Sequence, residues 1–325
     1  MIRSPAFRRA RLAVLLAGGV LLSLLRPAAG AGAPETVAPD TSYRQEIETW
    51  RKDRFDGLKS EDGWFSLVGL FWLDEGENRF GSDPGVNKVI LPEGRSPKVA
   101  GAFVREGKSV RVKAEPGAPR APREDITLDG KPVTGAMELK SDATGKPTVL
   151  RLGSLSFHVI ERGDKIGVRV KDSRSPALAA FHGLDYFPIQ PAWRIEARFE
   201  PYQPAKKVPI PNVLGQVSDE PSPGAVVFDW QGKTYRLDAI QGSEEGGLFL
   251  IFADETNGKD TYGAGRFLDT DPPKDGKVVV DFNTAYNPPC AFTSFATCPL
   301  PPQQNKLALR IEAGEKKYGD GHAGH

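Results

Sequence analysis

The 325-residue chain is poor in the side chains that most often do chemistry, with two cysteines and four histidines. Only His158 and His182 lie in the body of the chain, because His322 and His325 sit in the glycine-rich terminal stretch GDGHAGH. Two such ligands do not close a tetrahedral zinc site, so neither metal nor cofactor is expected. There is no nucleophile elbow, no metal-ligand spacing and no paired-carboxylate motif, which leaves hydrolysis without a signature. Charge of one sign is lacking too: 43 Lys+Arg stand against 42 Asp+Glu. A nucleic-acid partner calls for a basic face, and none is indicated. Finally, no apolar run reaches the roughly 20 residues that span a bilayer.

The N-terminus carries a shorter run, Leu12 to Leu25, preceded by Arg3, Arg8, Arg9 and Arg11. Arg26-Pro27 and small residues at Ala-x-Ala spacing (29–33) follow it. A basic start, a short apolar stretch and a small-residue cleavage site predict a secretory signal peptide over residues 1–33. Its removal takes away five arginines and no acids, lowering Lys+Arg from 43 to 38 against 42 and leaving a net charge of −4. The expectation is an exported protein, periplasmic or secreted, with no stable membrane insertion once the peptide is cleaved. Residues 34–40 read as a flexible lead-in and 319–325 as a disordered tail.

What is abundant is punctuation: 35 glycines and 28 prolines, spread evenly, imply frequent turns and few long helices. The predicted fold is mostly β, an antiparallel sandwich or barrel with one N-terminal amphipathic helix over about residues 41–58. Ser42 with Gln45 has the form of a capping box. Tyr43, Ile47, Trp50 and Leu58 make a docking stripe near the 3.6-residue period. In LSFHVIERGDKIGVRVK, alternating apolar residues flank Gly163-Asp164, which predicts a hairpin with a type II′ turn. That register sets Val159 against Val168, Phe157 against Val170 and, on the outer face, His158 against Arg169. The arginine opposes protonation of His158, a weak candidate for a catalytic base. Further strands are expected around Trp193–Phe199, in the apolar run 247–254, at Val278–Phe282 and at Leu307–Ile311. One domain over 41–318 is indicated, with sub-units 63–172 and 173–318.

GWFSLVGLFWLDEGENRFGSD (63–83), TYGAGRFL (261–268), DFNTAYNPPCAFTSFATCPLPP (281–302) and IEAGEKKY (311–318) resemble the family called domain of unknown function 1684. The likeness runs from about Trp50 to Tyr318 and implies no activity. Within residues 78–172, NRFGSDPGVNKVILPEG, LDGKPV and LRLGSLSFHVIERGD are similar in order to a forkhead-associated β-sandwich. That family grips phosphothreonine through an arginine where this chain has Ser82, and AGAFV (100–104) replaces its Ser-x-x-His segment. Without the guanidinium fork, the resemblance implies the sandwich and not phosphopeptide binding.

Two clusters carry the chemistry that remains. Cys290 and Cys298, an even pair close in sequence in an exported chain, predict a disulfide that staples a proline-rich loop. The rival readings are a nucleophilic Cys290 with a histidine base, and two unpaired structural thiols. The second cluster is polar. If 271–276 (DPPKDG) joins its flanking strands as a hairpin, Arg266 faces Asp281, with Tyr262, Asn283, Tyr286 and Asn287 around them. Such a cleft suits a small polar ligand, a glycan or an acid; alternatively the arginine and aspartate form a buried pair that ties the loop down. The functional expectation is an exported binding or interaction module. The alternative is an extracytoplasmic hydrolase using Asp281 or His158 with Tyr286.

Overall fold

The computed structural model describes residues 41–115, 126–242 and 245–319. The segments expected to be signal peptide and lead-in, and residues 320–325 with His322 and His325, lie outside them.

Helix α1 (Thr41–Lys59) buries Tyr43, Ile47 and Leu58, and half-buried Trp50 packs beside them. The docking stripe therefore does what its period implies. The described helix begins at Thr41, so Ser42 and Gln45 both lie within it and not ahead of it.

Among the described residues, eleven strands build the first part of the chain: β1 (Leu67–Trp72), β2 (Gly76–Gly81), β3 (Val89–Ile90), β4 (Gly101–Glu106), β5 (Ser109–Ala114), β6 (Thr127–Leu128), β7 (Lys131–Pro132), β8 (Met137–Leu139), β9 (Leu150–Leu152), β10 (Leu155–Arg162) and β11 (Lys165–Asp172). They form a six-stranded sheet, β1-β11-β10-β9-β6-β7, and a five-stranded sheet, β3-β2-β4-β5-β8. One core lies between them, built on Phe80, Phe103, Phe157, Val159, Val168 and Val170. Each such side chain contributes about 1.5–3 kcal/mol through burial. The hairpin has the expected register: Phe157 pairs with Val170, His158 with Arg169 and Val159 with Val168. Gly163 has φ +61° and Asp164 is not left-handed, as a type II′ turn requires.

Six strands follow: β12 (Arg194–Pro211), β13 (Val217–Trp230), β14 (Lys233–Gln241), β15 (Leu248–Phe252), β16 (Arg266–Thr270) and β17 (Lys277–Asp281). Their order is β16-β15-β14-β13-β12-β17, over a core of Leu250, Phe252, Leu268, Val280 and Phe282. Here two expectations fail. Residues 271–276 do not join β16 to β17 as a hairpin; β17 pairs with the start of β12, Arg194 opposite Asp281, at the other end of the sheet. The chain returns to β16 only beyond β17, where Tyr286 and Phe267 exchange backbone hydrogen bonds of 2.8 and 2.9 Å. Leu307, Leu309 and Ile311 are buried in a segment that bends at 308–309 and is not a strand. Its backbone bonds are scattered, Leu307 N to Ala253 O and Glu255 N to Leu309 O among them. A period of two reports which side is buried, not whether a ladder forms.

Candidate functional site

The polar residues expected to share a cleft are divided between three separate ties. The first belongs to Arg266, which is fully buried. Its Nη2 donates to Asp254 Oδ2 at 2.6 Å and to Ile311 O at 2.9 Å, and Nη1 donates to Ala313 O. Burial lowers its pKa, and the Asp254 carboxylate offsets this only in part. The partner of Arg266 is thus Asp254 at the end of β15, not Asp281. Gly265 beside it has φ +104°, and a Cβ there would lie 2.5 Å from Pro301 Cγ and 2.6 Å from Phe252 O. This is the close backbone approach that glycine alone permits.

Asp281 belongs to the second tie. It caps a short 3₁₀ turn by accepting from Asn283 N at 3.0 Å. Tyr43 of α1 places its hydroxyl 3.0 Å from both carboxylate oxygens and accepts from Asn283 Nδ2 at 2.9 Å. Arg194 Nη1 adds an ion pair at 3.1 Å. Burial, then the Asp281 charge, raises the Tyr43 pKa well above its usual range. The third tie is Arg54, whose Nε donates to Glu315 Oε1 at 2.8 Å and whose Nη2 donates to Asn287 O at 2.9 Å. Glu315 Oε2 accepts from Asn287 N at 2.7 Å. Arg54 also covers the ring of Tyr286 at 4.7 Å, and the Tyr286 hydroxyl donates to Asp269 at 2.7 Å. Helix α1 therefore fills the region where a polar cleft is expected.

The cysteines lie elsewhere, where the loop 288–299 meets the outer face of β10 and β11. Both are free thiols in the structure, which therefore lends the expected disulfide no support. Each sulfur instead accepts the other residue's backbone N–H: Cys290 N to Cys298 Sγ is 3.1 Å, and Cys298 N to Cys290 Sγ is 3.3 Å. The hydrogen bond from the Cys298 thiol lowers the Cys290 pKa, with Arg169 adding to the effect. Burial raises that of Cys298. Tyr262 donates to Cys290 O at 3.2 Å, and its own pKa rises to about 12 through burial and the neighbouring thiols.

Arg169 projects from β11, one strand in from the sheet edge, into this junction. It is 5% exposed, and its Nε and Nη2 are buried without an acceptor among the described residues. Trp64 lies over it, 5.2 Å from guanidinium carbon to ring centroid. Burial, then repulsion from Arg162, lowers its pKa to about 10, which leaves it charged at neutral pH. Arg162 itself is committed, to Asp142 Oδ2 at 2.8 Å and to Thr297 Oγ1 at 2.9 Å. His158, opposite Arg169, has its pKa lowered to about 3 by burial and then by the guanidinium. It is therefore neutral under ordinary conditions, and the face it occupies is covered by the 288–299 loop.

A family model described as protein of unknown function (DUF1684) matches residues 179–316. A solution NMR structure of an uncharacterized protein from Haloarcula marismortui is 31% identical, covering 42% of this chain and 78% of that one, with a TM-score of 0.37. The chain belongs to the DUF1684 family. No curated protein matches it. The matched segment is narrower than Trp50–Tyr318, because it begins after the first sandwich.

In this DUF1684 protein the sequence motifs locate the loop but not the groups that face it. Arg169, Trp64, Tyr43, Arg54 and Asp254 were not singled out as site residues by their motifs. Nothing in its strand marks Arg169, since Lys165 and Lys171 share its phase. Tyr43 had its place in the docking stripe, but its hydroxyl partner lies 238 residues away.

Proposed function

We propose that this DUF1684 protein is an exported binding module that takes a small anionic ligand, a carboxylate or similar oxyanion, at the Arg169 junction. The observation that carries this reading is the buried guanidinium with two unpaired nitrogens. A buried polar group without a partner costs about 1–3 kcal/mol, more when it is charged. An oxyanion would accept from both nitrogens in the bidentate manner that suits arginine. The field is favourable, because Asp142 is spent on Arg162 and His158 is neutral. Trp64, His158 and Tyr262 are half-buried and supply an apolar surround with polar tips. The basic N-terminus, short apolar run and Ala-x-Ala spacing support export. The hydrolase reading gains no such support, since Asp281 already serves Tyr43, Asn283 and Arg194.

Calorimetric titration of the mature protein, recovered from the extracytoplasmic fraction, tests the reading with acetate, succinate, phosphate and a neutral oligosaccharide. At least one anion should bind, and Arg169→Met should weaken it by about 10–100-fold, the value of charge-assisted hydrogen bonds. Equal binding by the variant, no heat with any anion, or preference for the neutral sugar overturns it.

A further inference from the structure

The two thiols hold chemistry that anion binding does not use. We propose that Cys290 and Cys298 are a reactive dithiol that reduces small, low-molecular-weight disulfides, with Cys290 the attacking and Cys298 the resolving residue. This does not rest on the anion-binding reading.

Geometry is the first support. The reciprocal N–H to sulfur bonds, 3.1 and 3.3 Å, bring the two sulfurs face to face across the ends of one short loop. Backbone N–H groups aimed at sulfur also stabilise a thiolate, the form that attacks. A second support is asymmetry. Cys290 is the more exposed at 4%, against 1% for Cys298. The buried Arg169 has no anionic partner among the described residues, so a thiolate forming beside it gains an uncompensated cation. Cys298 lies deeper and retains its proton, as suits a resolving thiol. The loop between the thiols runs through the Pro289–Ala291 turn with no strand in it, and Pro288, Pro289 and Pro299 have no N–H with which to bind it to a ladder.

The steps balance without any further reactant. The Cys290 thiolate attacks one sulfur of the disulfide RSSR; the S–S bond breaks, and RS⁻ leaves to take up a proton. The Cys298 thiol then loses its proton and attacks Cys290 Sγ. A Cys290–Cys298 bond forms and the second RSH departs. The small disulfide gains two electrons, and the protein dithiol gives them up.

Oxidised glutathione is the probe. Full-length protein incubated with it, then denatured without reductant, should show no free thiols, a monomeric mass lower by two hydrogens, and a Cys290–Cys298 peptide. Cys298→Ala should accumulate a glutathione adduct on Cys290, whereas Cys290→Ala should acquire one on Cys298 at least about tenfold more slowly, in line with burial and the smaller thiolate fraction. Two thiols persisting in the wild type, intermolecular bridging, or equal labelling of the two variants overturns the proposal. If either alanine variant fails to fold, acid-quenched wild type decides it: early adducts should map to Cys290, and early adducts on Cys298 overturn it.

Discussion

Replacing Asp254 by asparagine puts the Arg266 tie to a quantitative test. Both side chains are fully inaccessible, so water cannot take the place of the lost charge. The guanidinium would keep its bonds to Ile311 O and Ala313 O but lose the only carboxylate in contact with it among the described residues. Removing one partner of a buried ion pair costs about 3–5 kcal/mol, because the other charge stays uncompensated. The carboxylate does more than pair: Oδ1 also accepts from Thr256 N at 2.7 Å and Thr256 Oγ1 at 2.6 Å. Asparagine keeps one acceptor oxygen, so those bonds survive if the amide oxygen faces Thr256. The loss then isolates the charge. Urea denaturation should show the midpoint falling at unchanged m-value. A double variant, Asp254→Asn with Arg266→Met, should recover most of the loss, since an apolar replacement leaves no buried charge. A cost below about 1 kcal/mol for Asp254→Asn, the range of an exposed pair, would refute the argument. Arg266 would then return to the list of ligand-binding groups.

Two further outcomes follow from the same geometry. His158 has a folded pKa of about 3 against an ordinary 6.5, so the unfolded chain binds the extra proton between those values. Stability should therefore fall as pH drops from 6.5 towards 3, with a slope from this group of up to about 1.4 kcal/mol per pH unit. His158→Gln should flatten the melting-temperature profile over that window, and parallel profiles for the two proteins would contradict it. Tyr43→Phe removes the hydroxyl shared by Asp281 and Asn283 and should cost about 1.5–3 kcal/mol, the range for a hydrogen bond to a charged group. A change below about 0.5 kcal/mol in denaturant unfolding would mean that α1 does not hold Asp281, and would reopen the expected cleft.

The parts of the fold that were legible are those fixed by local rules. The β10–β11 register follows from alternation plus a glycine-first two-residue turn, and no distant residue has a say in it. The α1 stripe was readable for the same reason. Pairing between distant strands was not. Residues 271–276 look like a hairpin connection because their prolines and glycine make a turn, yet the turn says nothing about which strand lies on the far side. β17 joins β12, some eighty positions earlier in the chain, because Val278 and Val280 must face the core that β12 and β13 already enclose. The run Leu307–Ile311 misled in the opposite sense, burying alternate side chains with too few backbone partners to be a strand.

The site was harder to read because the chemistry of a side chain is visible in the sequence and its partner is not. Aspartate, arginine, tyrosine and asparagine close together along residues 262–287 invite assembly into one cleft. In the structure each is bonded elsewhere: Asp281 to a tyrosine of the first helix, Asn287 to Glu315 and Lys316, and Arg266 to Asp254 through Nη2, with only Arg266 Nε and Asn287 Oδ1 left over. Buried polar groups that find partners hold a fold together. Among the described residues Arg169 alone leaves two buried side-chain atoms unpaired, and such incompleteness leaves no trace in composition or spacing. Arg169 sits in IGVRVKD as an unremarkable outward residue of a hairpin strand. Only the packing of a loop from beyond residue 287 turns that outward face into an interior, leaving a guanidinium with two unpaired nitrogens beside two thiols.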